Sequence, residues 1–111
     1  MLININLDTV FASLADPTRR DIIRRISNKP LSVTEIAEKY SLTLAGISKH
    51  LKVLENAKLV IKKRKGKQQI VELSPQAFSA AFNYLKIYEN LWNERMDNLE
   101  RLLKEKDPRL T

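Results

Sequence analysis

A short basic segment offers the clearest chemistry in this sequence. Between residues 58 and 67, six of ten side chains are cationic and none is acidic. A solvated edge strand needs only one or two lysines against aggregation. Six unopposed charges repel one another, and a polyanion such as a phosphate backbone relieves that repulsion. The segment therefore predicts phosphate contacts, with these candidates inside it: Lys62, Arg64, Lys65 and Lys67.

The preceding segment, residues 43–57, has the spacing of an amphipathic helix. Ile47, Leu51 and Leu54 form its apolar stripe, and the opposite face carries small residues followed by lysines. Small side chains allow close approach to a major groove, and lysines reach phosphates or guanine edges. A solvated helix face is the alternative explanation of the same lysines. The residues that we expect to form this DNA-binding face, with its N-cap, are Thr43, Ala45, Gly46, Ser48, Lys49, His50 and Lys52.

Other chemistries have little support in the composition. The chain has no cysteine, one histidine and two glycines, so it lacks a thiol nucleophile, a thiolate metal site and a phosphate-cradling loop. We therefore expect no catalytic site, no metal and no cofactor. His50 lies at the margin of the apolar stripe, where either a hydrogen bond to a neighbouring element or a phosphate contact would use it. Arg19 and Arg20 fit a solvated surface better than a phosphate contact.

Charge is distributed unevenly along the 111 residues. The net charge is +7 and the sequence pI is about 9.8, which indicates a polyanionic partner. Residues 1–73 hold 14 basic and seven acidic side chains, whereas residues 74–111 hold six of each. The length predicts one domain, with a DNA-binding part over about 7–73, a further helix over about 74–104 and a tail over 105–111. No apolar run is long enough for a membrane span, so we expect a soluble, cytoplasmic protein.

The hydrophobic periodicity predicts a mainly α fold with a two-stranded β-hairpin. Ser32 and Glu35 form a capping box, and a three-residue turn joins the helix that they begin to the helix over 43–57. That pair is a helix-turn-helix, and the hairpin that follows turns at Gly66. The predicted helices are 7–14, 17–27, 32–40, 43–57 and a long one from residue 74; the predicted strands are 59–64 and 69–73.

The long C-terminal helix carries a near-heptad apolar seam, which is typical of helix pairing between chains. At about 1.5 Å per residue it is longer than the rest of so small a domain could cover. We therefore expect a homodimer in which the helix over 7–14 packs nearby. The interface residues that we expect are Leu7, Val10, Phe11, Leu85, Tyr88, Trp92, Met96, Leu99 and Leu103.

Three ordered motifs resemble those of ArsR-type winged helix-turn-helix repressors. They are the sequences LADPTRR (14–20), LSVTEIA (31–37) and ISKHLKVLE (47–55), and the similarity extends over about 7–103. The resemblance implies a homodimer, a recognition helix over 43–57 and a wing around 65–67. It also implies repression of the chain's own operon, and Ala45, Ser48, Lys49 and His50 as base or phosphate contacts.

Two departures from the family pattern refine that resemblance. The cysteines and histidines of the metal-sensing members are missing, so the likeness is to the branch that senses no metal. Lys58 stands where the family usually has glycine, which implies either about 1 kcal/mol of strain or a different exit from the helix. Two other readings stay open: a winged-helix module that binds an acidic protein, and a sensor whose small-molecule effector sits near Tyr84, Tyr88 and Trp92.

Overall fold

The computed structural model describes residues 4–106. Its helices and strands follow the predicted order, with one short strand added between the second and third helices. The helices are α1 (Leu7–Ser13), α2 (Pro17–Asn28), α3 (Val33–Lys39), α4 (Leu44–Asn56) and α5 (Pro75–Lys106), and the strands are β1 (Leu31–Ser32), β2 (Val60–Lys65) and β3 (Gln68–Leu73).

Polar side chains begin four of the helices, α1 to α4. Asp16 accepts a hydrogen bond from the backbone N–H of Arg19 at the start of α2. The Ser32 hydroxyl accepts from the N–H of Glu35, whose carboxylate accepts from the N–H of Ser32, so the capping box is complete. Asn6 begins α1 and Thr43 begins α4 in the same way. These bonds satisfy backbone donors that have no partner inside the helix.

The described residues divide into two units between Ala81 and Phe82. The first unit buries one apolar cluster, to which each of α1 to α4, the sheet and the start of α5 contribute. Its fully buried members are Val10, Ile22, Ile36, Ile47, Leu51, Leu54, Leu59, Val60, Val71 and Ala77.

The predicted hairpin is present, and β1 extends it into a three-stranded antiparallel sheet of order β1-β3-β2. β1 pairs through Leu31 with Val71 and through Ser32 with Ile70. A strand of two residues has no periodicity that could reveal it, because alternation needs at least four residues to be recognised. The added strand places the N-terminus of α3 beside the hairpin.

Two residues with positive φ frame β2. Gly66 has a φ of 59° in the two-residue loop between the paired residues Lys65 and Gln68, as tight hairpins require. Lys58 has a φ of 65° just after α4. Its N–H bonds to the carbonyl of Glu55, and the N–H of Leu59 bonds to that of Leu54, which is a complete Schellman motif.

The second unit contains the part of α5 from Phe82 to Lys106, and every one of these residues is exposed. Apolar and aromatic side chains occupy one side of this helix at spacings of three and four residues, and polar residues occupy the other. The large exposed ones are Phe82, Tyr84, Leu85, Ile87, Tyr88, Leu91, Trp92, Met96, Leu99, Leu102 and Leu103.

Candidate nucleic-acid interface

α4 separates its side chains into a buried stripe and an exposed basic face. Ile47, Leu51 and Leu54 are fully buried, which fixes the rotation of the helix about its axis. The opposite residues Ala45, Ser48, Lys49 and Lys52 are all exposed, and neither lysine forms an ion pair within residues 4–106. The structure thus gathers these four predicted contacts on one surface, while Thr43 serves as the N-cap through its hydroxyl.

Gly46 lies in the first turn of α4 rather than at the middle of the helix. A Cβ atom added there would lie 3.5 Å from the Thr43 hydroxyl and 3.7 Å from the Leu42 Cβ, which are ordinary contact distances. Packing within the chain therefore leaves room for alanine. The small size of residue 46 has no intramolecular cause in the described structure.

The cations of the hairpin differ in their ion-pair and hydrogen-bond partners, which the sequence of the segment does not show. Lys63 Nζ lies 2.6 Å from Glu72 Oε1, so β3 supplies a carboxylate that the local sequence of β2 does not show. Arg64 donates from Nε to the Gly66 carbonyl at 3.2 Å. The remaining cations of the segment form no ion pair among the described residues: Lys58, Lys62, Lys65 and Lys67.

Strand register divides the predicted wing contacts between the two faces of the sheet. Lys62 is opposite the buried Val71 and Arg64 is opposite Gln69, so these two cations share the face that covers the core. Lys65, opposite Gln68, lies on the other face. Lys67 lies in the loop itself. The cations therefore surround the tip of the hairpin rather than forming one flat row.

His50 is held between α4 and the start of α2. Its Nδ1 atom lies 3.3 Å from Arg19 Nη1 and 3.9 Å from Asp16 Oδ2. The side chain keeps 22% of its surface exposed. Of the two uses that the sequence left open for His50, the structure shows the hydrogen bond to a neighbouring element.

Arg19 and Arg20 are engaged with the end of α1 rather than fully solvated. Arg19 donates from Nε to the Ser13 carbonyl at 2.6 Å, and Arg20 donates from Nη1 to the Leu14 carbonyl at 2.9 Å. Sequence reasoning assigned neither role. The signal was the position of both arginines in the first turn of α2, only six residues after the carbonyl that each one binds.

A second polar cluster fastens α3 to α2. The Tyr40 hydroxyl donates to Asp21 Oδ2, and Arg24 donates to Asp21 Oδ1 at 2.6 Å. These two hydrogen bonds hold the pKa of Asp21 below its usual value, and burial together with the Asp21 contact raises the pKa of Tyr40. Arg25 lies 5.5 Å over the Tyr40 ring, a cation–π distance. The cluster therefore links α2 to the residue that follows α3.

The expected dimer residues differ in exposure. Val10, which we expected at the interface, is fully buried in the core of the first unit, where its side chain contacts other residues of the same chain. Leu7 and Phe11 are half-buried and pack against that core. The members on α5 are all exposed: Leu85, Tyr88, Trp92, Met96, Leu99 and Leu103.

The described residues contain no group of three metal-binding side chains. None of their helices has the length and apolar character that crossing a bilayer requires. An open groove of about 430 Å³ lies on the second unit and is lined by Tyr88, Leu91, Trp92 and Arg95. The Tyr84 and Tyr88 rings meet edge to face at 5.3 Å on the same helix.

Residues 14–62 match the model of a family described as a helix-turn-helix domain. The chain is 31% identical over 96 residues to the HTH-type transcriptional regulator Rv2034 of Mycobacterium tuberculosis, covering 86% of this chain and 87% of that relative. It is 27% identical over 84 residues to the transcriptional repressor SdpR of Bacillus subtilis, covering 76% and 93%.

Two solved structures are also similar to this chain. The crystal structure of the ArsR family transcriptional regulator RHA00566 superposes with a TM-score of 0.72 at 30% identity, covering 78% of this chain and 90% of that one. The homodimeric winged helix-turn-helix domain of Mb0332 from Mycobacterium bovis, solved by NMR, shares the fold with a TM-score of 0.60 at 21% identity, covering 83% and 82%. With the helix-turn-helix, the basic hairpin and these similarities together, the chain belongs to the ArsR family of winged helix-turn-helix transcriptional regulators.

Proposed function

We propose that the protein binds double-stranded DNA as a homodimer and represses transcription, including that of its own gene. α4 is the recognition helix in the major groove, and the β2–β3 hairpin is the wing along the backbone. The two copies of α4 read half-sites about one helical turn apart, near 34 Å. Specificity comes from α4, and much of the affinity comes from the wing cations.

The exposed face of α4 carries this proposal. Small residues occupy its first turns and unpaired lysines follow, while the buried stripe holds the helix in one orientation. A recognition helix needs this combination, because the N-terminal residues approach base edges and later ones reach phosphates. The unpaired wing cations support a phosphate partner independently.

The exposed apolar side of residues 82–106 supports the homodimer. An isolated helix is marginally stable in water, and most helical stability comes from packing an apolar face. Trp92 is 62% exposed and Leu99 is 50% exposed, so this face is available to a second copy of the same helix. The homodimeric state of Mb0332, which has the same fold, is consistent with that occupant.

Repression is the sign of regulation that the similarity to SdpR supports, because that relative is a repressor. An effector-gated release from DNA is a further part of the proposal, and the aromatic side chains near Trp92 are its candidate site. Trp92 is the only tryptophan, so its fluorescence tests this part directly. A small molecule that changes both the Trp92 fluorescence and the DNA affinity supports gating. A small molecule that changes neither does not act at this site.

The deciding experiment is fluorescence anisotropy of a labelled duplex from upstream of the protein's own gene. Titration at about 150 mM salt, with excess random duplex as competitor, separates specific from non-specific binding. Retained binding with two subunits per site supports the proposal. Binding that disappears with competitor points instead to another operator or to an acidic protein partner. The acidic partner is the alternative interpretation of the basic hairpin.

Lys49 and Lys65 distinguish the two proposed roles within the interface. We expect Lys49→Ala to weaken binding and to relax the choice of sequence, since its side chain lies on the recognition face. We expect Lys65→Ala to weaken all duplexes about equally and to reduce the salt slope by about two, because the dimer loses one phosphate contact from each copy. For a dimer that neutralises about eight phosphates, the log–log slope is near −7; a slope shallower than about −3 at full affinity contradicts a phosphate-rich interface.

A further inference from the structure

Three interactions converge on the guanidinium group of Arg19. Nε donates to the Ser13 carbonyl at 2.6 Å and Nη2 donates to the Ala12 carbonyl at 3.4 Å. Both carbonyls belong to the last turn of α1. Nη1 lies 3.3 Å from His50 Nδ1, on α4. The two carbonyls restrain the guanidinium, so the group that faces His50 has a defined position.

The chemistry of arginine determines the direction of the contact with His50. A guanidinium has only N–H donors and remains protonated in proteins, so His50 Nδ1 must accept. A ring nitrogen that accepts carries no proton, and the neutral imidazole then carries its proton on Nε2. Asp16 Oδ2 is 3.9 Å from Nδ1, too far to bind a proton there.

The second ring nitrogen of His50 is available to a ligand. Nε2 has no hydrogen-bond partner among residues 4–106, although the described structure contains no buried side-chain nitrogen or oxygen that lacks one. Nε2 therefore reaches the protein surface. On α4, His50 lies between the buried stripe and Lys49, at the margin of the exposed basic face.

We propose that Arg19 is a positioning residue that holds neutral His50 with its proton on Nε2, so that α4 presents a fixed hydrogen-bond donor to DNA. The acceptor is a phosphate oxygen or a guanine N7 or O6 atom. The DNA part of this inference rests on the proposed function; the assignment of the proton does not. Without Arg19, the ring exchanges its proton between two nitrogens, and the donor is present only part of the time.

Nitrogen-15 NMR of the imidazole tests the proton assignment on the free protein. Because the chain has one histidine, its ring signals need no residue assignment. At a pH near 8.5, where an ordinary imidazole is neutral, we expect an unprotonated Nδ1 and a protonated Nε2. Arg19→Met should give a mixture of the two tautomers while retaining the aliphatic stem.

Arg20→Met is the matched control for that measurement. It removes the same charge and one bond to an α1-end carbonyl, but Arg20 has no contact with His50 among the described residues, so the tautomer should not change. A proton on Nδ1 in the wild-type protein overturns the inference, and this outcome needs no variant that folds. An unchanged tautomer in a folded Arg19→Met variant overturns it as well.

A double-mutant cycle tests the use of the donor on DNA. The duplex is one selected from a random library by the wild-type protein. His50→Gln retains an amide N–H near the position of Nε2, but unlike the ring it places no acceptor at the position of Nδ1. Arg19→Met should therefore weaken binding about fourfold with His50 present, because an equal mixture of tautomers halves the available donor at each of two half-sites, and much less in the His50→Gln background.

The outcomes of the cycle separate this inference from the proposed function. Equal losses in both backgrounds overturn the coupling of Arg19 to His50. A loss that appears on all duplexes places the acceptor on a phosphate, and a loss limited to the selected duplex places it on a base; both support the donor. A wild-type protein that selects no duplex contradicts the proposed function and the donor's use, while NMR still decides the role of Arg19.

Discussion

The two units of the molecule differ in whether they bury their apolar side chains. In the first unit, Ile22, Ile47 and Leu51 are fully buried within the same chain. In the second, from Phe82 to Lys106, no described side chain is buried. Buried apolar area is the main source of stability. The first unit buries such area within the chain, and the second unit does not. The comparison shows where the chain supplies its own core and where it leaves an apolar face that we propose a second copy covers.

Leu99→Asp should have the largest effect on this comparison. A charge at the centre of the exposed apolar side opposes pairing, because burying it unpaired is costly. We expect a monomer by analytical ultracentrifugation and a loss of operator affinity of about 100-fold or more, since the second half-site no longer contributes.

Asn90→Asp is the control, because it adds the same charge on the polar side of the helix. We expect it to remain dimeric. A Leu99→Asp protein that is still a dimer at micromolar concentration would contradict the assigned interface.

Leu51→Ala should show that the first unit is stabilised by its own core. Removing a fully buried leucine side chain costs about 3 kcal/mol, which urea denaturation at one fixed protein concentration measures. The dimer should persist at low temperature. Lys52→Ala, at the exposed neighbouring position, should change stability by less than about 0.5 kcal/mol, and a comparable loss there would refute the core assignment.

Lys58→Gly should stabilise the first unit by about 1 kcal/mol. Lys58 holds the left-handed conformation that glycine adopts without steric cost, and its two neighbouring backbone bonds fix that conformation. Lys58→Ala keeps the Cβ atom and removes the charge, so it should give none of this gain. A gain of equal size in both variants would show that charge, rather than backbone strain, is responsible.

Acid should affect the first unit through its helix-capping carboxylates, with the smallest effect. The backbone N–H of Ser32 holds the pKa of Glu35 below its ordinary value, and that of Arg19 does the same for the pKa of Asp16. A lowered folded-state pKa contributes stability above the unfolded value, about 4, and that contribution is lost as the pH falls through the folded value.

Glu35→Gln isolates one of these carboxylates. Glutamine still accepts from the N-cap N–H but carries no charge, so stability near neutral pH should fall by the contribution of the carboxylate, and the loss below about pH 4 should become smaller by the same amount. Glu38→Gln, on the same helix but without a hydrogen bond among the described residues, should leave the acid transition unchanged. Thermal unfolding across this pH range measures both variants.

Local signals were sufficient to predict most of the fold. Ser32 and Glu35 predict the start of α3, because the whole capping box lies within four residues. Gly66 predicts the hairpin, because its signal also lies within the turn itself. The buried stripe of α4 follows from its own spacing. The one element without a local signal is β1, which exists only because β3 offers it a partner.

The side-chain partners that sequence reasoning missed all come from distant parts of the chain or from another element. Glu72 neutralises Lys63 because strand pairing brings them together, and His50 meets Arg19 across 31 positions of sequence. Val10 was expected at the interface because its helical spacing matches that of Leu7 and Phe11. Periodicity identifies an apolar face, but it does not distinguish burial in the same chain from burial against another.

In the homodimer that we propose, pairing through the exposed side of residues 82–106 has a quantitative consequence for gene control. While most copies are single, the number of pairs rises as the square of the chain concentration by mass action. Occupancy of an operator that needs a pair then rises fourfold for each doubling of synthesis. An autorepressor of this kind has little effect on its gene at low copy number. Repression then increases steeply once the chain concentration passes a threshold.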